Sequence, residues 1–191
     1  MSSSHEVDRK FREFSAKKQQ DVVTRSVRYL RAKEARSHMA KKSTNEASIP
    51  NPALAPFGIL VGRWTTVGTH GLVPDTTYHG HTTFEWLEGA AFLIMHSEID
   101  EPDIPSGVAV FGSDDSAGEY SMLYFDERGV SRRFEVTLRN NILTWSRQFP
   151  GFSQRVTMTI ADDGGTIVGK GELSKDGVSW EKDLDLTYTR S

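Results

Sequence analysis

Trp180-Glu181-Lys182-Asp183-Leu184-Asp185-Leu186-Thr187-Tyr188-Thr189-Arg190 alternates apolar and polar side chains over almost its whole length. Trp180, Leu184, Leu186 and Tyr188 fall on one face; Glu181, Asp183, Asp185, Thr187 and Thr189 fall on the other. A period of two marks a strand with one buried face and one wet face. The apolar set is expected to face a core and the acidic set to face water.

The same character extends back to residue 57. Stretches 60–69, 76–87, 91–99, 107–112, 119–125, 130–138, 142–148, 154–161 and 166–174 read as further strands, rich in β-branched and aromatic residues. Turn chemistry separates them, as in Asp126-Glu127-Arg128-Gly129, Asn140-Asn141, Asp162-Asp163-Gly164-Gly165 and Lys175-Asp176-Gly177. Helical spacing is absent here, apart from a turn near 52–60. Ten strands with hairpin-length connections describe an antiparallel up-and-down meander, and closing it removes both free edges. The fold class is therefore all-β, a barrel of about ten strands. Eight strands leave room for side chains or one small ligand, so ten predict an enclosed cavity.

Alternation also predicts what lines that cavity. In 76–87, Tyr78, Gly80, Thr82, Phe84 and Trp86 oppose Thr77, His79, His81, Thr83 and Glu85, and apolar content turns the Tyr78 face inward. Val156, Met158 and Ile160 point in by the same rule. Arg132 shares a face with Phe134, Val136 and Leu138. Tyr120, Met122 and Tyr124 oppose Ser121, Leu123 and Phe125, and that strand stays ambiguous. The expected ligand-contacting set is Tyr78, Phe84, Trp86, His96, Arg132, Phe134 and Tyr188. An inward Arg among apolar neighbours is costly unless paired, which points to a ligand carboxylate or phosphate. The plainer alternative puts Arg132 at the strand end in water beside Arg133.

Histidines supply the remaining chemistry. His79 and His81, at i and i+2 on one strand face, are candidate ligands for one metal, with Glu85 or His96 completing the set. Their polar neighbours Thr77, Thr83 and Glu85 equally describe an exposed face. His96 stands with Phe92 and Ile94, and is the best-placed candidate general base, or else a satisfied wall histidine. The chain has no Cys, so thiolate catalysis, disulfides and Cys-ligated zinc are excluded. No GxSxG, HExxH, Walker A or GxGxxG motif occurs.

Charge divides the chain. Of 23 Lys+Arg and 26 Asp+Glu, twelve and five fall in residues 1–42, leaving eleven and twenty-one for the remainder. The net −3 is thus a +7 block joined to a −10 block. Residues 1–40 carry Val7, Phe11 and Phe14, then Val23, Val27 and Leu30, at helical spacing among basic residues. They read as a basic helix suited to an acidic partner, as a solvated extension, or, given Ser37-His38-Met39, as a fusion-derived leader. Residues 41–56, with Pro50, Pro52 and Pro56, read as a linker, and 57–191 as the barrel. No apolar run spans a membrane and no secretory signal opens the chain, which favours the cytoplasm. The acidic barrel gives no reason to expect nucleic-acid binding.

Leu60-Val61-Gly62-Arg63-Trp64 resembles the Gly-x-Trp opening of the lipocalin-like (calycin) superfamily. There the Trp closes one end of the barrel against a late-strand Arg, a role that Arg190 matches by position. The run from Gly62 to Pro74 is similar to the opening of nitrobindins, ten-stranded haem barrels, with Thr66, His70 and Val73 replacing Gly, Gly and Tyr. The haem-ligating His expected near the C-terminus is missing from 183–190. Residues 97–132, Pro150-Gly151-Phe152-Ser153-Gln154-Arg155 and Leu186-Thr187-Tyr188-Thr189-Arg190 resemble a family of bacterial lipocalin-like domains of unknown function. These resemblances imply the barrel over 54–191 and leave its chemistry to the site.

The function expected is therefore binding of a small, largely hydrophobic molecule in the lumen, with no cofactor required. One alternative is a haem or metal barrel using His70, His79, His81 or His96. Another is an isomerase or cyclase with an enclosed acid–base residue. A homodimer is left open.

Overall fold

The computed structural model describes residues 48–71, 73–113 and 119–191. The basic extension, its expected helix and most of the linker lie outside the described residues. A 3₁₀ helix (Pro52–Leu60) leads into β1 (Gly62–His70), β2 (Val73–Leu87), β3 (Phe92–Ile99), β4 (Gly107–Ser113) and β5 (Tyr120–Asp126). There follow β6 (Ser131–Arg139), β7 (Ile142–Arg147), β8 (Ser153–Ile160), β9 (Thr166–Ser174) and β10 (Glu181–Arg190). Every strand pairs antiparallel with its neighbour in sequence, and β1 pairs with β10 to close the barrel. All ten expected strands form, with ends shifted by at most three residues.

Most of the wall obeys the alternation. In β6, Arg132, Phe134, Val136 and Leu138 point inward while Ser131, Arg133, Glu135, Thr137 and Arg139 face out. A polar outside over an apolar inside is the reverse of a lipid-facing barrel. Among the described residues, no helix is long and apolar enough to cross a membrane.

The 3₁₀ helix plugs one end. It begins inside the stretch read as linker: Asn51 caps it by accepting from the Ala53 amide at 3.0 Å, with Pro52 in its first turn. Leu54, Phe57 and Leu60 are fully buried against the strand ends. Phe57 meets Tyr120 edge-on at 4.9 Å and Phe111 at 5.9 Å, and the Tyr120 hydroxyl donates to the Ala53 carbonyl. Trp64, fully buried, donates its indole N–H to the Leu60 carbonyl at 2.8 Å. Arg190 lies 4.2 Å over the Trp64 ring and donates to the carbonyls of Ile59, Val61 and Gly164. One guanidinium thereby ties the last strand to the plug. Gly62 makes room for it: at φ +136° a side chain is strained, and a Cβ would stand 2.8 Å from an Arg190 nitrogen.

Candidate functional site

Above the plug the lumen holds a cavity of about 240 Å³. Its apolar wall comes from inward positions of successive strands, including Met95 of β3, Met122 of β5, Phe134 of β6, Trp145 of β7, Val156 of β8 and Leu186 of β10. The far end, where β1 meets β2 and β9 meets β10, carries the polar groups. Tyr78, Tyr124 and Tyr188 line it together with His70, Gln154, Asp183 and Arg132.

Asp183 is the main correction to the sequence reading. Strict alternation put it outside with Asp185, but it is 3% exposed and faces the lumen. The cause is a bulge: pairing of β10 with β9 shifts between Lys182 and Leu184, leaving Asp183 as an extra residue. The bulge turns both Asp183 and Leu184 inward and leaves Trp180 on the outer wall, 4.2 Å from the Arg155 guanidinium. Gln154 Nε2 donates to Asp183 Oδ2 at 2.6 Å, and His70 Nε2 stands 3.7 Å from Oδ1. The backbone amide of Gly71 also donates to the Asp183 carbonyl.

Arg132 faces inward from the second residue of β6. Its guanidinium packs 4.4 Å over the Phe152 ring, half-buried at the mouth. Arg147 is the last inward position of β7; desolvation first, and then the charge of Arg132, lower its pKa. Arg128, at the rim, is committed to the buried Asp126 through bonds of 3.3 and 2.8 Å. Among the described residues Arg132 has no carboxylate partner. The mouth thus offers a guanidinium without a counter-ion beside a second one.

Other expected site residues go elsewhere. His96 is exposed on the outer wall, because β3 turns Leu93, Met95, Ser97 and Ile99 inward instead of Phe92, Ile94 and His96. Phe92 and Ile94 are apolar too, so content alone could not choose the face; pairing of Leu93 with Phe111 and Met95 with Ala109 does. Phe84 points inward but packs on Phe111 within the closed end, below the cavity. Trp86 lies past that end and is 37% exposed. His79 and His81 are on the outer face, with His79 Nδ1 3.3 Å from Glu101. Among the described residues no three His, Asp or Glu side chains are grouped to hold a metal. Of the four histidines weighed, His70 lines the cavity. Tyr124, Gln154 and Asp183 were not anticipated; Tyr124 was recoverable only by choosing a face of an ambiguous strand.

The three lumen tyrosines are held neutral. Burial first, then nearby carboxylates headed by Asp183, push the Tyr78 phenol well above its ordinary value. Burial and then Asp126 do the same for Tyr124. Burial and then Tyr78 raise Tyr188, whose environment includes a hydrogen bond with Thr82. Thr82 in turn shares a 2.8 Å hydrogen bond with Thr66. Folded phenols keep protons that unfolded ones release above about pH 10, so stability must fall as pH rises past that point. Alkaline absorbance titration should show three of the five tyrosines silent in the folded barrel and recovered in denaturant.

Tyr78 is seated by Gly68. A Cβ there would stand 2.6 Å from the tyrosine ring and 2.6 Å from the Asp185 carbonyl. Gly68→Ala should therefore cost roughly 1–3 kcal/mol by urea unfolding.

Neither a family model nor a curated protein matches the sequence. Solved structures do match. Rv2717c from M. tuberculosis aligns with a TM-score of 0.57 at 14% identity, over 73% of this chain and 98% of that one. The S-type phycobiliprotein lyase CPES from Guillardia theta aligns with a TM-score of 0.49 at 12% identity, over 71% and 90%. At 14% identity the likeness to Rv2717c is one of fold alone.

Proposed function

We propose that the barrel binds a small, largely apolar molecule carrying one anionic group. The observation behind this reading is the combination of an apolar cavity with Arg132 at its mouth, inward, half-buried and without a carboxylate partner among the described residues. The apolar portion of the ligand lies against Met95, Met122, Phe134, Trp145 and Val156. Its carboxylate or phosphate meets Arg132, with the neutral phenols available as hydrogen-bond donors. At about 240 Å³ the cavity sits just below the usual range for drug-sized ligands, roughly 300–1,000 Å³. A medium-chain acid suits it. A tetrapyrrole is far larger, and the haem alternative would further depend on His70, which faces Asp183.

The test is to purify the full chain from its native source, denature it and extract the supernatant. A small amphiphilic acid at near-equimolar amount supports the reading. A lumen that yields none, in protein whose melting temperature no medium-chain acid raises, counts against it.

A further inference from the structure

β3, β4 and β5 depart from the apolar-inside, polar-outside rule. Their outward positions carry Phe92, Ile94, Val108, Val110, Leu123 and Phe125. Register joins these into one patch: Ile94 stands opposite Val110 and Val110 opposite Leu123, with Val108 opposite Phe125 in the next row. Leu123 is 43% exposed. Strands apolar on both faces belong to sheets covered on both sides, and a contiguous apolar patch on an outer wall marks an interface.

Charge shows what covers it. The row Ile94, Val110, Leu123 continues to Glu85 of β2 at one end and to Arg133 of β6 at the other. Both are exposed, and neither side chain has a hydrogen bond or ion pair with another described residue. The row therefore reads negative, three apolar, positive. Such an order is complementary to its own reverse.

We infer that this patch is the interface of a homodimer whose two-fold axis runs along β4. That axis lays the patch on its copy and reverses the order of the strands, so Val110 meets Val110 while Glu85 of each protomer meets Arg133 of the partner subunit. An axis across the strands would set like charge on like charge and is disfavoured. The two walls then pack face to face with nearly aligned strands, as sheets do in sandwiches. An unrelated partner would have no need of a self-complementary row.

Sedimentation velocity on the full chain at tens of micromolar tests this. The wild type should run as a dimer. Glu85→Arg and Arg133→Glu should each weaken dimerisation about tenfold or more, because each puts two like-charged pairs into the interface. The double variant Glu85→Arg/Arg133→Glu should recover most of that loss. Both substitutions are at exposed positions, so circular dichroism should report an intact barrel for all three variants. A monomeric wild type overturns the inference, as does a double variant no better than the singles.

Discussion

Replacing Arg132 by Met is expected to weaken binding of octanoate by roughly ten- to a hundredfold while leaving octanol binding within about twofold. A hydrogen bond to a charged group contributes about 1.5–3 kcal/mol, and each 1.4 kcal/mol is tenfold in affinity. Met keeps much of the stem volume over the Phe152 ring, so the change removes charge with little loss of packing. Octanol shares the eight-carbon chain and lacks the anion. A parallel loss for both ligands would mean that Arg132 supports the wall rather than the head group. Asp183 has the opposite sign: its carboxylate faces the same lumen. Asp183→Asn should leave octanoate binding equal or stronger, because a negative charge near the head group is removed.

The largest expected effect on stability belongs to Trp64→Ala. Truncating a buried Trp costs about 3–5 kcal/mol, a large part of the 5–15 kcal/mol that holds a typical domain together. Here the loss has three components: the ring leaves a cavity beneath the plug, the Leu60 carbonyl loses its donor, and Arg190 loses the surface on which it lies. The melting temperature should fall by roughly 10 °C or more. Trp64→Phe keeps an aromatic face for Arg190 and should recover more than half of the loss. If Trp64→Ala melts within a few degrees of the wild type, the plug is not what closes this end.

Most strands were readable because they are short, bounded by Asp, Asn and Gly turns, and polar on one face. β6 and β8 declare their inside by alternation alone. β3 does not: Phe92 and Ile94 compete with Leu93 and Met95, and only pairing to β4 settles which row turns in. This placed His96 on the wrong side. β10 misled for a different reason. Its alternation is the clearest in the chain, yet one extra residue at Asp183 reverses the phase of everything before it. A bulge leaves no mark in hydropathy, so alternation alone sets the Asp183 carboxylate in water rather than in the lumen. Depth along the barrel was also hidden. Phe84 and Trp86 share the face of Tyr78, but a strand rises by roughly 3.3 Å per residue, so the six and eight residues from Tyr78 carry them out of the cavity, into the plug and past it. The acidic excess still belongs largely to the outer wall, with the buried Asp126 and Asp183 as exceptions.

Methionine methyl NMR offers a direct view of the lumen. Met95 and Met122 line the cavity, whereas Met158 is buried in the core outside that lining. Titrating octanoate into the methyl-labelled full chain should shift the Met95 and Met122 resonances together, saturably and at one equivalent, with Met158 much less affected. Unmoved Met95 and Met122 signals at millimolar octanoate would contradict a binding site inside the barrel.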